Sequence, residues 1–280
     1  MKLSYASFSF PKDTPIEDII RTLQTLGFDG MEVSAWSGYQ TDISRLGTED
    51  WKRIRNLAQD AGLIINALGC HTAILEPKEW VRRERIRRTK RCIDAALQMD
   101  CPIVDTLSGS KPKDLSDRES WQILAQALGE IVDYAEKNGI TIGFEPHVGN
   151  FIYELSSVLE LLKLVPSKNL AITLDQSHFA IQGLDLGAIL RRLKDFIVHV
   201  HIKDVKGIFP NYEFLIPGEG SFPFEDFFSD LHGLGYEGFI TAEVSVMRSS
   251  KPGYDPYEAA RLTYITLSNS LIRLGLRRKG

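Results

Sequence analysis

Apolar residues recur along the chain in eight short runs, and between them the spacing changes from alternate positions to the three-and-four step of an amphipathic helix. The runs fall near residues 3–8, 29–34, 63–70, 102–108, 140–145, 170–175, 196–203 and 238–244 and predict strands. The intervening helices carry start and stop signals. Thr14-Pro15-Ile16-Glu17 has the spacing of a capping box with proline at the first helical position, Thr48 is placed to cap the helix that Gly62 closes, and Gly139 follows Lys137 and Asn138 as a stop. Strict alternation of strand and helix implies right-handed crossovers and a parallel sheet. Eight such units imply closure into a single (β/α)8 TIM barrel over residues 1–280, with its active site at the carboxyl ends of the strands.

Four of the runs end in a side chain able to bind a divalent metal: ITIGFE at Glu145, AITLD at Asp175, VHVH at His201 and FITAE at Glu243. Side chains alternate between faces along a strand. Thr141, Gly143 and Glu145 therefore share one face, as do Ala171, Thr173 and Asp175, His199 and His201, and Thr241 and Glu243. The other face carries Ile140, Ile142 and Phe144, then Ile172 and Leu174, then Val198, Val200 and Ile202, then Ile240, Ala242 and Val244. An aliphatic outer side and a small or polar inner side ending in a ligand fit a barrel wrapped in helices with a metal at its mouth. Three carboxylates and one imidazole, with no thiolate, suit Mn²⁺, Mg²⁺ or Co²⁺ better than structural zinc. A sugar with a carbonyl beside a hydroxyl can chelate such an ion, which would acidify the neighbouring carbon-bound proton and stabilise the resulting enediolate.

Composition narrows the remaining classes. Apolar residues make up 43% of the 280, enough for one large core. No apolar run reaches membrane-spanning length, and MKLSYASFSF lacks the layout of a signal peptide, so a cytoplasmic location without membrane attachment is expected. Cys70, Cys92 and Cys101 form neither a disulfide framework nor a metal-type pair. A formal charge of −4 argues against nucleic acid as a partner. The seven basic residues of Arg82–Arg91 fall in a helical segment and read as a solvated outer face.

The motifs GFEPH, TLDQSHF, VHVHIKD, PGEGSFPFEDFF and GYEGFITAEVS, with GFDGMEVS on the second strand, resemble those of the sugar phosphate isomerase/epimerase family of xylose-isomerase-like barrels. The resemblance covers essentially the whole chain and is specific for the superfamily but weak for the substrate. It implies one divalent ion, with manganese the leading choice over cobalt or magnesium, held by Glu145, Asp175, His201 and Glu243. It also implies that Glu145 and Glu243 serve as the proton-transferring pair while binding the metal. His178, in the D-x-x-H pattern after Asp175, would contact substrate. The chain departs from the ketose 3-epimerases at Gly207, where those enzymes carry an arginine, and its HIKD form looks more like the broader isomerases and inosose dehydratases.

Other polar residues have paired readings. His147 is either a mouth residue for substrate or a hydrogen-bond partner that orients a ligand. His71, ending the third strand, either touches substrate or is structural. Glu32 shares the inward parity of Gly30 and Ser34 and either binds a sugar hydroxyl or partners a barrel-interior group. Lys203 is a candidate for a substrate oxygen or phosphate, or a partner of Asp204, while His199 reads as barrel interior. The loops after strands seven and eight offer Lys203, Lys206, Arg248 and Lys251, with Gly218 and Gly220, for a phosphate if the substrate carries one; no compact glycine-rich cradle is visible, which favours a neutral sugar or inosose. Trp36, Tyr39, Phe209, Tyr212 and Phe222 lie in loops that either roof a sugar or pack the loops down. The expected activity is a metal-dependent sugar or sugar-phosphate isomerase or epimerase acting through a metal-stabilised enediolate on a small-molecule substrate. An inosose (cyclitol) dehydratase is the near alternative and an abasic-site endonuclease a remote one; a homo-oligomer is left open.

Overall fold

The computed structural model describes residues 1–277. In chain order the strands are β1 (Lys2–Ala6), β2 (Gly30–Ser34), β3 (Ile64–Ala73), β4 (Ile103–Leu107), β5 (Thr141–Phe144), β6 (Leu170–Asp175), β7 (Ile197–Ile202), β8 (Asp204–Ile208), β9 (Asn211–Leu215) and β10 (Phe239–Ala242). The helices are α1 (Ile16–Leu26), α2 (Thr48–Asp60), α3 (Glu79–Gln98), α4 (Asp117–Lys137), α5 (Leu155–Leu164), α6 (Gln176–Ala180), α7 (Leu186–Leu193), α8 (Phe224–Gly233), α9 (Val246–Ser249) and α10 (Pro256–Arg273). β1 to β7 and β10 pair in parallel and close as the expected eight-stranded barrel, β1 lying between β10 and β2. None of the described helices is long and apolar enough to cross a membrane.

The alternation read from the sequence sets the two faces of the wall. Ile142, Phe144, Leu174, Val200, Ile202 and Ile240 are buried outside the barrel, in one cluster with Leu124, Leu128 and Ile131 of α4 and Ile189 and Leu190 of α7. The interior is polar. Asn66 links Ser4 to Thr241, and the Thr173 hydroxyl donates to Asp105. Every one of these polar groups is fully or nearly fully buried, so each hydrogen bond offsets a desolvation cost that would otherwise reach several kcal/mol.

Local signals were read correctly in part. Gly62 and Gly139 adopt the left-handed conformation that ends a helix, with φ of 73° and 70°. Neither Thr14 nor Thr48 caps a helix through its side chain; at α2 the Asp50 carboxylate instead accepts from the Gly47 amide. β8 and β9 form an antiparallel hairpin where the pattern after residue 203 predicts loop. It folds beside the mouth, where Phe214 packs with Val148 and Ile181. The basic stretch on α3 divides. Arg83 and Arg87 are exposed and paired with Glu130 and Glu84, as a solvated face requires. Arg85 and Arg88, half-buried, turn instead to the barrel mouth and donate to the carbonyls of Ala73 and Ala35, a correction to the purely solvated reading, while Arg91 stays exposed and donates to the carbonyl of Ile43.

Gly143 is required by the crowding inside the barrel, since a β-carbon there would collide with the Thr173 hydroxyl and the Asp105 carboxylate. Gly143→Ala is expected to cost about 1–3 kcal/mol by overpacking. Calorimetry should show a melting temperature lower by roughly 2–4 °C per kcal/mol. An unchanged melting temperature would show that the interior has slack.

Candidate active site

The carboxyl ends of β5, β6, β7 and β10 bring Glu145, Asp175, His201 and Glu243 together, with one ligand atom from each lying within 4.8 Å of the others. Backbone pairing sets the heights. Glu145 continues the ladder by donating its amide to Thr106 O at 2.8 Å, and Glu243 does the same to Ile202 O at 3.3 Å. Asp175 ends β6 and caps α6: its Oδ1 accepts from the Ser177 amide at 2.8 Å and hydroxyl at 2.6 Å, which leaves Oδ2 facing the site.

His201 stands between two carboxylate groups. Its Nδ1 lies 3.2 Å from Glu145 and 3.5 Å from Glu243, while its Nε2 lies 2.7 Å from Glu32. Nε2–H donates to Glu32, the arrangement by which a buried carboxylate orients a ligating histidine, and Nδ1 faces the mouth, where it donates to Glu145 while protonated and becomes a ligand atom once that proton is lost. Glu32 also meets His199 Nε2 at 3.1 Å. Glu32 is fully buried, partners the two histidines of β7 and is not among the residues lining the mouth cavity. Asp105, fully buried and 3.9 Å from His201 Nε2, belongs to the same inner group. The sequence reading passed over it, although its inward parity on β4 beside Thr106 was available.

A cavity of about 740 Å³ opens above these groups, and Glu145, Glu243, His71, His147, His178 and Lys203 all line it. Lys203 is buried with its ammonium between Asp175 and Glu243, rather than paired with Asp204. Asp204 accepts instead from the amides of Gly218, Gly220 and Phe222. That engagement, with Arg248 paired to Glu219 at 2.6 Å and Lys251 to Glu213 at 3.1 Å, occupies most of the groups that the loops after strands seven and eight offer to a phosphate. His178 Nε2 lies 3.5 Å from Asp175, and its ring packs 3.8 Å from that of His147. His147 Nδ1 meets its neighbour's carbonyl, Val148 O, at 2.7 Å, and its side chain lines the cavity.

His71 Nε2 lies 3.4 Å from Glu145, and Nδ1 lies 3.2 Å from the indole nitrogen of Trp36, which stacks on Phe8. The His71 backbone has a φ of 42°, a conformation that costs a non-glycine residue of order 1–3 kcal/mol and that concentrates at functional sites.

Charge balance dominates the protonation states. Burial alone would raise Glu145, yet hydrogen bonds from His201 and His71 hold it well below the ordinary carboxylate range. Burial likewise opposes ionisation of Asp175, but the Lys203 ammonium keeps it low. Burial pushes Asp105 up to about 6. His178 is pushed down to about 3 by burial and is neutral at pH 7. For His71, burial lowers the pKa but the Glu145 carboxylate outweighs it and raises the value to about 9.

His71 is therefore expected, in the metal-free protein, to titrate above its ordinary 6.5 by NMR. Because the folded value is the higher one, its stabilising contribution is complete below pH 6.5 and disappears as the pH rises towards about 9. Glu145→Gln should lower the midpoint. Trp36→Phe should raise it, because the indole N–H opposes a second proton on Nδ1. A midpoint unmoved by Glu145→Gln would refute the coupling.

Comparison with known proteins agrees with this geometry. The profile of the family described as xylose isomerase-like TIM barrel matches residues 20–263. Fructoselysine 3-epimerase of Shigella flexneri is 29% identical over 250 residues, covering 85% of this chain and 88% of that protein. Inosose dehydratase of Lactiplantibacillus plantarum is 23% identical over 283 residues, covering 94% and 91%. A D-psicose 3-epimerase crystallised with D-fructose superposes with a TM-score of 0.80 at 19% identity, over 98% of this chain and 100% of that one. With the barrel closed and its strand-end donors converged, the chain belongs to the xylose isomerase-like TIM barrel family.

Proposed function

We propose that the protein is a divalent-metal-dependent sugar isomerase or epimerase that moves a proton at the carbon beside a carbonyl. The observation that carries this reading is that Glu145 and Glu243 belong to the four-residue donor set and also line the cavity above it. The donor set fits a hard or borderline divalent ion such as Mn²⁺, Co²⁺ or Mg²⁺: three carboxylates and one imidazole, its ring oriented by Glu32, with no thiolate. Its negative charge is only partly matched by Lys203 and His201.

When bound, the ion would supply Lewis acidity at a carbonyl and an adjacent hydroxyl. The rest is the work of this chain's own residues. Glu145, held ionised by His201 and His71, is available as a base at neutral pH. Glu243 reaches the same space from another strand and can return a proton, so removal from one side and return on the other would invert a carbon centre. Neutral His178 can donate or accept at a substrate oxygen, and Lys203 can neutralise a developing oxyanion. A dehydratase acting on a cyclitol ketone is the second reading, favoured by the likeness to inosose dehydratase over nearly the whole chain. The same deprotonation would then expel a hydroxyl instead of being reversed.

The test is deuterium incorporation from solvent into candidate ketoses and inososes, measured by NMR after removal of added metal. Exchange next to the carbonyl is expected, and product analysis separates epimerisation from dehydration. Glu145→Gln and Glu243→Gln should each lower turnover about 10²- to 10⁴-fold, in samples whose metal content is measured alongside. Near-wild-type turnover in either variant sinks the acid/base assignment. Asp175→Ala and His201→Ala should lose the bound ion by elemental analysis, and full occupancy in both would overturn the ligand set.

A further inference from the structure

The mouth cavity changes sign along its length. On its floor lie Glu145 and Glu243; across His71 and Trp36, its far wall is lined by Arg85, Arg88 and Arg91 from α3. These three recur every third residue and so fall on one side of the helix. Arg85 is neutralised by Glu76 at 3.1 Å. Arg88 and Arg91 have no carboxylate within ion-pair distance among the described residues. They donate only to backbone carbonyls, Arg88 to Ala35 O at 2.9 Å and Arg91 to Ile43 O, and the Nε of Arg88 is buried with no hydrogen-bond partner. The carboxylates lining this end are already engaged: Asp42 accepts from the Gly38 amide and from the Ser44 amide and hydroxyl, and Glu84 pairs with Arg87.

Two guanidinium groups on a cavity wall, one partly desolvated and both lacking a counter-charge, suit a carboxylate or phosphate, which guanidinium forks bind with charge-assisted hydrogen bonds. We propose that the substrate is a sugar derivative bearing an anionic group at the end remote from its carbonyl, and that Arg88 and Arg91 receive this group. This inference rests on the sugar reading of the donor set. It moves the anion site from the loops after strands seven and eight to α3.

Binding of D-fructose, D-fructose 6-phosphate and fructoselysine to the metal-loaded protein, followed by calorimetry, tests it. The three ligands share the sugar and differ in carrying no anion, a phosphate or an amino-acid carboxylate, so the comparison also identifies which anion the site prefers. One of the charged ligands should bind at least about 10-fold more tightly than fructose. Arg88→Met/Arg91→Met should abolish that preference and leave fructose binding unchanged, while Arg88→Lys/Arg91→Lys should keep most of it. No preference in the unmodified protein overturns the proposal. So does a charge-keeping variant that loses the preference as fully as the methionine variant, since the arginines would then act only by holding the loops at Ala35 and Ile43. A preference that depends on the arginine charge, in a protein that exchanges no sugar proton, would retain the anion site and discard the sugar reading.

Discussion

Everything at the mouth of this barrel depends on the contact between Glu32 and His201. Carboxylates of Glu32, Asp105, Glu145, Asp175 and Glu243 crowd around His201 in a largely dehydrated interior. Isolated buried charges of that kind cost several kcal/mol each. His201 joins the inner pair to the outer three, and Glu32 fixes which of its nitrogens faces which group. Without that bond the ring is free to turn, the donor set loses its only nitrogen and Glu145 loses a partner that keeps it ionised.

The rest of the fold can be understood as support for this unfavourable concentration of charge. Aliphatic residues outside the wall lock the strands against the helices, and hydrogen bonds among Ser4, Asn66 and Thr241 fill the interior without adding charge. At the site itself His71 adopts a left-handed backbone, and its ring meets both Glu145 and Trp36. Around that rigid floor the walls differ in character: the β8–β9 hairpin brings Phe214 against His178 and Lys203, whereas α3 brings cationic side chains.

The barrel and its four-residue donor set were legible in the sequence because both follow from short-range periodicity. Alternation along a strand fixes which side chains point inward, and strand ends in a parallel barrel share one rim, so ITIGFE, AITLD, VHVH and FITAE announce a common site without any long-range information. Other features depended on which distant segments meet. Periodicity placed Glu32 inside but could not say that β7 would present His199 and His201 to it. Nor could it say that Asp204 would take the PGEG amides, that Glu219 and Glu213 would neutralise Arg248 and Lys251, or that Lys203 would choose Asp175 and Glu243 over its neighbour Asp204. The arginines of α3 show the limit most clearly. Their spacing correctly predicts a helix, but whether a helical face meets water or a cavity is set by the tilt and closure of the barrel. By itself, the sequence determined the fold and the convergence of four side chains able to bind a metal, which are properties of local pattern. Only the tertiary structure decided the partners of each charge and the polarity of the cavity, because these depend on distances between residues far apart in the chain.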